Sequence, residues 1–199
     1  LDMKGGLVVV AWALRAIAET LGPAALPPLR LVVVADEEVG SPEGQGVIRQ
    51  AIADARSCLV FEAGRKNDLI VTRRKGTGSI KAIAHGRSAH AGNAHRDGAN
   101  ALWALARFVD RIQGLTDYDR GVTVNVGKVV GGDSKNTVPD RAEALVDIRF
   151  ETVKDADSLM AAIREAATNA VVPGTRIELE GGVARMPMER TEASALLLA

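Results

Sequence analysis

Acidic side chains follow two short apolar runs of the chain, residues 29–35 and 57–61. If both runs are parallel strands, their carboxyl ends share one edge of a sheet, which is where open α/β sheets bind ligands. The acids that this arrangement would gather are Asp2, Asp36, Glu37, Glu38 and Glu62. A pair of divalent metal ions would relieve the repulsion among them, and one acid could then serve as a general base. On the acids alone, a solvated turn without function is the simpler interpretation.

The chain has three histidines, His85, His90 and His95, and they do not form a His-Glu-x-x-His zinc motif. His90 lies in a run of small residues, 86–92, which would let a ligand or a partner backbone approach closely. It is therefore the candidate functional histidine. His85 and His95 are interpreted as surface or capping residues.

Two further polar residues stand out by type and position. Asn136 lies in a predicted loop, and Arg149 lies on one face of a predicted strand. An arginine is well suited to hold a carboxylate through two parallel hydrogen bonds. Taken alone, however, the two residues are a loop amide and a sheet-face cation.

The pattern of apolar residues predicts two parts. Residues 4–21, 29–35, 41–54 and 57–61 are predicted as helix, strand, helix and strand. This order is typical of an α/β domain with a parallel sheet, and 1–67 is predicted to be part of one. Residues 70–182 alternate apolar and polar positions in the order strand, helix, strand, strand, helix, strand, which predicts an inserted ferredoxin-like (βαββαβ) α+β domain. The tail, 183–199, is predicted to return to the first domain.

Composition excludes several classes of protein. Among 199 residues, 25 basic and 25 acidic side chains give a formal net charge of zero, so neither nucleic acid nor a membrane surface is an expected partner. Cys58 is the single cysteine and is predicted to be a buried packing residue, which leaves carboxylates and histidines as metal ligands. The chain opens without Met and closes in a helix-like run, which predicts an internal piece of a longer protein. That protein is expected to be soluble, and whether it is cytoplasmic or periplasmic stays open.

Five segments match a known family in order and span essentially the whole chain. They are Asp2-Met3-Lys4-Gly5-Gly6, Asp36-Glu37-Glu38-x-Gly40-Ser41, Phe61-Glu62, Ser88-Ala89-His90-Ala91-Gly92, and Asn136-x-x-Pro139 leading to Asp147-x-Arg149. Together they resemble the di-zinc aminoacyl hydrolases, which include glutamate carboxypeptidase, acetylornithine deacetylase, succinyl-diaminopimelate desuccinylase and aminoacylase. Within the family, the sequence looks most similar to the glutamate carboxypeptidases. Two features carry this likeness: a Glu at position 62, and Arg73-Arg74-Lys75-Gly76 at the start of the inserted domain.

The resemblance implies a metal site and a base in the first domain, which would be part of the catalytic domain. Asp2 would bridge two zinc ions in each intact subunit, and cobalt could replace zinc. Glu38 would bind one ion and Glu62 the other. Glu37 would be the general base for hydrolysis of an amide bond.

The resemblance also implies roles for the inserted domain, which would be a dimerisation or lid domain and make the protein a homodimer. His90 would reach into the partner subunit's site and stabilise the developing oxyanion. Asn136 and Arg149 would bind the substrate, a small peptide or an N-acyl amino acid, with Arg149 on its carboxylate.

The family takes one histidine ligand from a strand upstream of these segments and another from near its carboxyl terminus, and neither is present here. The chain by itself is therefore expected to be inactive or to bind zinc weakly. Release of a C-terminal acidic residue by a metallocarboxypeptidase is the leading prediction, and deacylation of an N-acyl amino acid is the alternative. A non-catalytic dimerisation or binding module, and a catalytically inactive homologue, also remain open.

Overall fold

The computed structural model describes residues 3–62, 66–170 and 172–197. The chain divides into two compact units, Leu1–Ile70 and Val71–Ala199. Within the described ranges, no helix is both long enough and apolar enough to cross a membrane.

The first unit is built around two helices, α1 (Lys4–Leu21) and α2 (Gly44–Ile52), with short 3-10 turns at Pro23–Ala25, Glu37–Val39 and Lys66–Asp68. The bounds of α1 match the predicted helix over 4–21. Helix α2 begins three residues later than the predicted start at residue 41 and ends before the predicted end at residue 54.

The start of α2 is capped by Asp36 and not by Ser41, as the sequence pattern had indicated. One carboxylate oxygen of Asp36 accepts hydrogen bonds from the backbone N–H groups of Glu43 and Gly44, both at 2.9 Å. Ser41 adopts a left-handed backbone, with φ of 53°, and cannot begin the helix. The bond from Gly44 is the main cause that holds the pKa of Asp36 below its usual value. Asp36 therefore fixes the turn that carries Glu37 and Glu38.

The two strands predicted for the first unit do not form in the part of the chain that the structure describes. Neither 29–35 nor 57–61 belongs to a hydrogen-bonded ladder. A parallel strand that is buried on both faces needs neighbours on each side, and these segments instead expose Leu29, Leu31, Val33, Leu59 and Val60. Cys58, which was predicted to be buried, is also exposed.

The second unit is a mixed α+β sandwich in the predicted order. Its elements are β1 (Gly76–His85), β2 (Ala89–His90), α3 (Ala101–Gln113), β3 (Thr123–Gly131), β4 (Thr137–Val138), β5 (Arg141–Phe150), α4 (Val153–Asn169), β6 (Arg176–Arg185) and α5 (Glu192–Leu196). The main sheet has the order β3-β5-β1-β6, and every neighbouring pair is antiparallel. The ferredoxin-like prediction is confirmed. The small β2–β4 sheet was not predicted.

The core of the sandwich lies between one face of this sheet and the helices α3 and α4. Alternate strand positions point into it, as the sequence indicated. The largest fully buried side chains are Ile80, Leu105, Phe108, Ile112, Ile148, Phe150 and Ile163. The positions between them, on β1 and β5, form the opposite face of the sheet, which we call the open face.

The segments that enter and leave the sandwich are fastened side by side. Arg74 and Met188 exchange backbone hydrogen bonds of 3.0 and 2.9 Å. Arg73 and Lys75 flank this pairing and both reach Glu151, with nitrogen-to-oxygen distances of 2.9 and 3.8 Å. The first and last parts of the second unit are therefore neighbours.

A buried carboxylate stabilises the start of α4. Asp155 is 7% exposed, and its backbone N–H donates to Thr152 Oγ1 at 3.0 Å. The hydroxyl of Thr152 donates in turn to the Asp155 carboxylate at 2.7 Å, and Arg120 forms an ion pair with the same carboxylate. The bond from Thr152, followed by the contact with Arg120, lowers the pKa of Asp155.

Replacement of Asp155 by Asn should lower the free energy of unfolding by about 2 kcal/mol near neutral pH, because Thr152 and Arg120 lose a charged acceptor. The folded-state pKa of Asp155 is depressed, so its contribution is complete above the unfolded carboxyl pKa of about 3.9. That contribution is lost as the pH falls through the lower folded value. The deficit of Asp155→Asn should therefore shrink as the pH falls below the unfolded carboxyl pKa.

Urea unfolding at several pH values measures this deficit. The matched control is Asp157→Asn, since Asp157 lies exposed on the same helix. An Asp157→Asn deficit as large as that of Asp155→Asn, or an Asp155→Asn deficit that does not change with pH, would contradict the assignment.

Candidate active site

The imidazole of His90 is oriented by the backbone that follows it. The N–H groups of Gly92 and Asn93 both donate to His90 Nδ1, each at 3.1 Å. A ring nitrogen that accepts hydrogen bonds carries no proton, so neutral His90 carries its proton on Nε2. The side chain is exposed. His90 therefore presents a hydrogen-bond donor outward.

Asn136 lies beside His90, although the two residues are far apart in the sequence. In the β2–β4 pair, His90 lies opposite Thr137, and the N–H of Ala91 donates to the carbonyl oxygen of Asn136 at 2.9 Å. The hydroxyl of Ser134 forms a hydrogen bond with the Asn136 side-chain oxygen, Oδ1. Because that contact uses the oxygen, the amide NH₂ group of Asn136 is left as the donor end.

Close packing beneath the β2–β4 pair holds it in place. Val138, on β4, is 5% exposed and packs against Gly98. A Cβ atom at Gly98 would lie 2.9 Å from three side-chain carbons of Val138, so a larger residue there would push β4 away. The N–H of Gly86 donates to the carbonyl of Asp140 at 2.7 Å, which joins the end of β1 to the start of β5.

Arg149 lies at the other end of the sheet from His90. It points to the open face, opposite Thr77 on β1 and Thr123 on β3. His90 is tied to the end where β5 begins, at Arg141. Arg149 is eight residues further along β5, a span of about 27 Å along the strand. The fold therefore brings His90 and Asn136 together and leaves Arg149 apart from them.

The other end of the open face carries ion pairs between charged residues. Glu143 contacts Lys81 at 3.0 Å and Arg141 at 2.6 Å, and these two cations, Lys81 first, hold the pKa of Glu143 below its usual value. His85 contacts Glu178 at 3.0 Å and lowers the pKa of that carboxyl, with a smaller effect from Arg176. His85 is thus hydrogen-bonded to Glu178 at the surface, which agrees with its interpretation as a surface residue.

The acidic residues of the first unit are presented on exposed backbone turns. Glu37 and Glu38 lie in the 3-10 turn Glu37–Val39, and Glu62 is exposed after the segment that ends at Phe61. A Cβ atom at Gly6 would lie 3.1 Å from Phe61 Cβ, so the first turn of α1 is in close contact with the residue before Glu62. Two of the five family-like segments therefore meet.

The predicted zinc site is only partly within the described residues. Asp2, the expected bridging ligand, lies outside them. Within the described ranges, no three His, Cys, Asp or Glu side chains are grouped as a metal site would require. Glu38 and Glu62 have the oxygen donors that divalent ions accept, and their role as zinc ligands stays a prediction.

Three positioning groups were not identified from the sequence. The backbone N–H groups of Gly92 and Asn93 orient His90, and Asp36 caps α2. Asp147 accepts two hydrogen bonds from Arg149, at 2.8 and 2.9 Å. The pairing of Asp147 with Arg149 could have been predicted from the sequence, because residues two apart on a strand lie on the same face.

The sandwich with its β2–β4 pair is a domain of a peptidase type. Residues 72–175 match the family described as "Peptidase dimerisation domain", and this segment is just over half of the chain. The chain belongs to the M20 peptidase family.

Two curated relatives are similar over most of this chain. Acetylornithine deacetylase of Myxococcus xanthus is 30% identical over 183 residues, which cover 77% of this chain and 47% of the relative. Carboxypeptidase G2 of Pseudomonas sp. (strain RS-16) is 25% identical over 179 residues, which cover 89% of this chain and 43% of the relative. This chain spans about half the length of the curated relatives that it matches.

A solved structure shares the fold. Aminopeptidase PepT from Bacillus cereus superposes with a TM-score of 0.59 and 23% sequence identity, over 69% of this chain and 37% of that chain. At this identity the likeness shows the fold alone.

The tautomer of His90 can be measured directly in this chain. Long-range proton–nitrogen NMR spectra should show Nδ1 unprotonated and Nε2 protonated. Gly92→Ala should disturb this state, because the added Cβ would lie 3.3 Å from His90 Cε1. The resonances of His85 and His95 serve as internal references.

The matched control is Gly127→Ala on β3, where an added Cβ meets only Asn125 Nδ2 at 3.4 Å. This variant should leave the His90 resonances unchanged. A proton on Nδ1 of His90 in the unmodified chain would show that the orientation is wrong.

Proposed function

We propose that the protein containing this chain hydrolyses an amide bond on the amino side of an amino acid that has a free carboxylate. It acts as a zinc-dependent homodimer through the sandwich. The proposal rests on family membership and on one observation, the hydrogen bonding that leaves His90 Nε2–H pointing outward beside Asn136. A group that stabilises an oxyanion must donate a hydrogen bond where negative charge develops, and this tautomer does so.

The distance along the sheet supports a site built from two subunits. His90 and Asn136 lie at the end where β5 begins, and Arg149 lies about 27 Å further along the strand. A small substrate is shorter than this span. We therefore propose that His90 and Asn136 of one subunit face Arg149 of the other. Glu37 is assigned to the same site as Arg149 because the family resemblance has His90 reach into the partner subunit's site.

The proposed cofactor is zinc, two ions per subunit, with cobalt as a substitute. Asp2 would bridge the ions, while Glu38 and Glu62 would each bind one. Zinc would supply Lewis acidity for amide hydrolysis. The close contact between Gly6 and Phe61 supports this assignment, because it brings the start of α1 near the segment that carries Glu62.

We propose that Glu37 carries out the proton transfers of the reaction. This carboxylate would take a proton from the attacking water and pass it to the leaving amine. His90 would donate its Nε2–H to the tetrahedral oxyanion, and Arg149 would hold the carboxylate of the released amino acid. Glu37 is exposed on a turn held by Asp36, which leaves it accessible to substrate.

Two substrate classes satisfy this chemistry. A carboxypeptidase and an N-acyl amino acid deacylase both cleave an amide whose nitrogen belongs to an amino acid with a free carboxylate. Identity is higher to the acetylornithine deacetylase, 30%, than to carboxypeptidase G2, 25%. Deacylation of an N-acyl amino acid is therefore retained as the second candidate activity, after release of a C-terminal acidic residue. Assay of N-acetyl amino acids beside peptides with C-terminal glutamate separates the two.

Substitution of Glu37 by Gln should lower kcat by about 10² to 10⁴-fold, because the base is lost. The metal content and the fold should be unchanged, since the side chain is exposed and of similar shape. Steady-state kinetics, metal analysis and circular dichroism measure these outcomes in the intact enzyme. Glu19→Gln, on the exposed surface of α1, is the control. Activity within twofold or so of the unmodified enzyme would remove Glu37 from the base role.

Complementation tests the two-subunit site. His90→Ala and Arg149→Ala homodimers should each be impaired, because every site lacks one group. In a mixed dimer of the two variants, one of the two sites regains both groups, so activity should reappear.

The control for this experiment is a mixture of Arg149→Ala with Glu37→Gln. Both changes fall on the same side of the proposed site, so neither site of that mixed dimer is complete. Recovery in the control, or none in the His90–Arg149 mixture, would show that the site is built differently.

A further inference from the structure

Arg149 is held on the open face by a neighbour on its own strand. Its Nε donates to Asp147 Oδ1 at 2.8 Å, and its Nη2 donates to Asp147 Oδ2 at 2.9 Å. Two parallel bonds between two planar groups fix the plane of the guanidinium, which a single bond does not. The side chains are 45% and 47% exposed, so water and ligands reach the pair.

The contact uses only one edge of the guanidinium. Arginine has five N–H donors, distributed over a side edge formed by Nε and Nη2 and an end edge formed by the two terminal nitrogens. Asp147 occupies the side edge. The end edge faces no acceptor among the residues that the structure describes, and it has the geometry to hold a second carboxylate through two further bonds.

The same strand carries a second pair of an arginine and a carboxylate, with a different geometry. At its other end, Arg141 places two nitrogens on a single oxygen of Glu143, at 3.1 and 2.6 Å. The second oxygen of Glu143 is shared with Lys81 at 3.0 Å. Glu143 therefore links two cations, whereas the two oxygens of Asp147 both bind Arg149.

Polar side chains surround the Asp147–Arg149 pair. Arg149 lies between Thr123 and Thr77, and Asp147 lies between Asn125 and Ser79, on neighbouring strands in register. Residues directly opposite one another in antiparallel strands point to the same face. The pair is thus set in a patch of hydroxyl and amide groups that can bind the polar atoms of a small ligand.

We propose that Asp147 is a positioning residue. It holds the guanidinium of Arg149 in one plane so that the end edge receives the substrate carboxylate. This inference rests on the proposed function, in which Arg149 binds that carboxylate. Fixing a long, exposed side chain before binding removes an entropy cost that the ligand would otherwise meet. An exposed ion pair contributes little to folding stability, so its effect on binding can be separated from any effect on the fold.

The first experiment measures the order of the guanidinium in this chain, without any substrate. Heteronuclear NMR relaxation of the Arg149 Nε–H should show a rigid group in the unmodified chain and a mobile one in Asp147→Ala. The control, Glu143→Ala, should leave Arg149 rigid. A mobile Arg149 in the unmodified chain, or one that stays rigid in Asp147→Ala, would overturn the proposal.

The second experiment uses the intact enzyme and two matched substrates, an N-acyl amino acid and its C-terminal amide, which lacks the carboxylate. Asp147→Ala should raise KM for the acid about three- to tenfold while leaving kcat nearly unchanged. KM for the amide should not change. Asp147→Glu, which keeps both carboxylate oxygens, should restore part of the loss.

Each other result has a distinct meaning. If Asp147→Ala raises KM equally for acid and amide, its role is structural and the proposal is wrong. If it changes neither KM although Arg149 has become mobile, the fixed plane has no bearing on binding, and the proposal is wrong again. If Arg149→Ala raises KM equally for the acid and the amide, or raises neither, the proposed function of Arg149 fails, and the relaxation data still report whether Asp147 orients it.

Discussion

The register of β5 between β1 and β3 is the constraint on which the second unit depends. Ile148 is fully buried, so its neighbours Asp147 and Arg149 must point to the opposite face. Helices α3 and α4 seal only one side of the sheet, and a slip of one residue would exchange the two faces of the strand. The same register thus fills the core and sets the polar patch around Arg149. The register of β5 therefore determines both the stability of the sandwich and the arrangement of the polar residues around Arg149.

The sequence predicted the sandwich well because its signals are local. Alternation along β1 and β5 and the helical spacing in α3 and α4 are each visible within about ten to twenty residues. The strands expected at 29–35 and 57–61 depended on pairing with distant partners, which an apolar run does not specify. Asp36 was missed as a cap because its contact with Gly44 spans eight residues and passes through the left-handed Ser41.

The candidate site, too, could be predicted from the sequence only in part. Residue types and the family resemblance indicated His90, Asn136 and Arg149, but not how each side chain is held. Orientation of His90 depends on where two backbone N–H groups point in the turn after it, which spacing alone does not reveal. Strand order, in contrast, could have shown beforehand that Arg149 lies far along the sheet from His90. The roles of all seven candidate residues stay predictions: Asp2, Glu37, Glu38, Glu62, His90, Asn136 and Arg149.

Arg74 and Met188 bring the entry and the exit of the sandwich to within one pair of hydrogen bonds. A host chain can therefore be interrupted by this domain without its own two ends being pulled apart. The entropy cost of closing a loop depends on bringing its two ends together, and here the sandwich domain already holds its own two ends side by side. Insertion of such a domain into a longer chain would therefore need no wide separation of the two flanking segments.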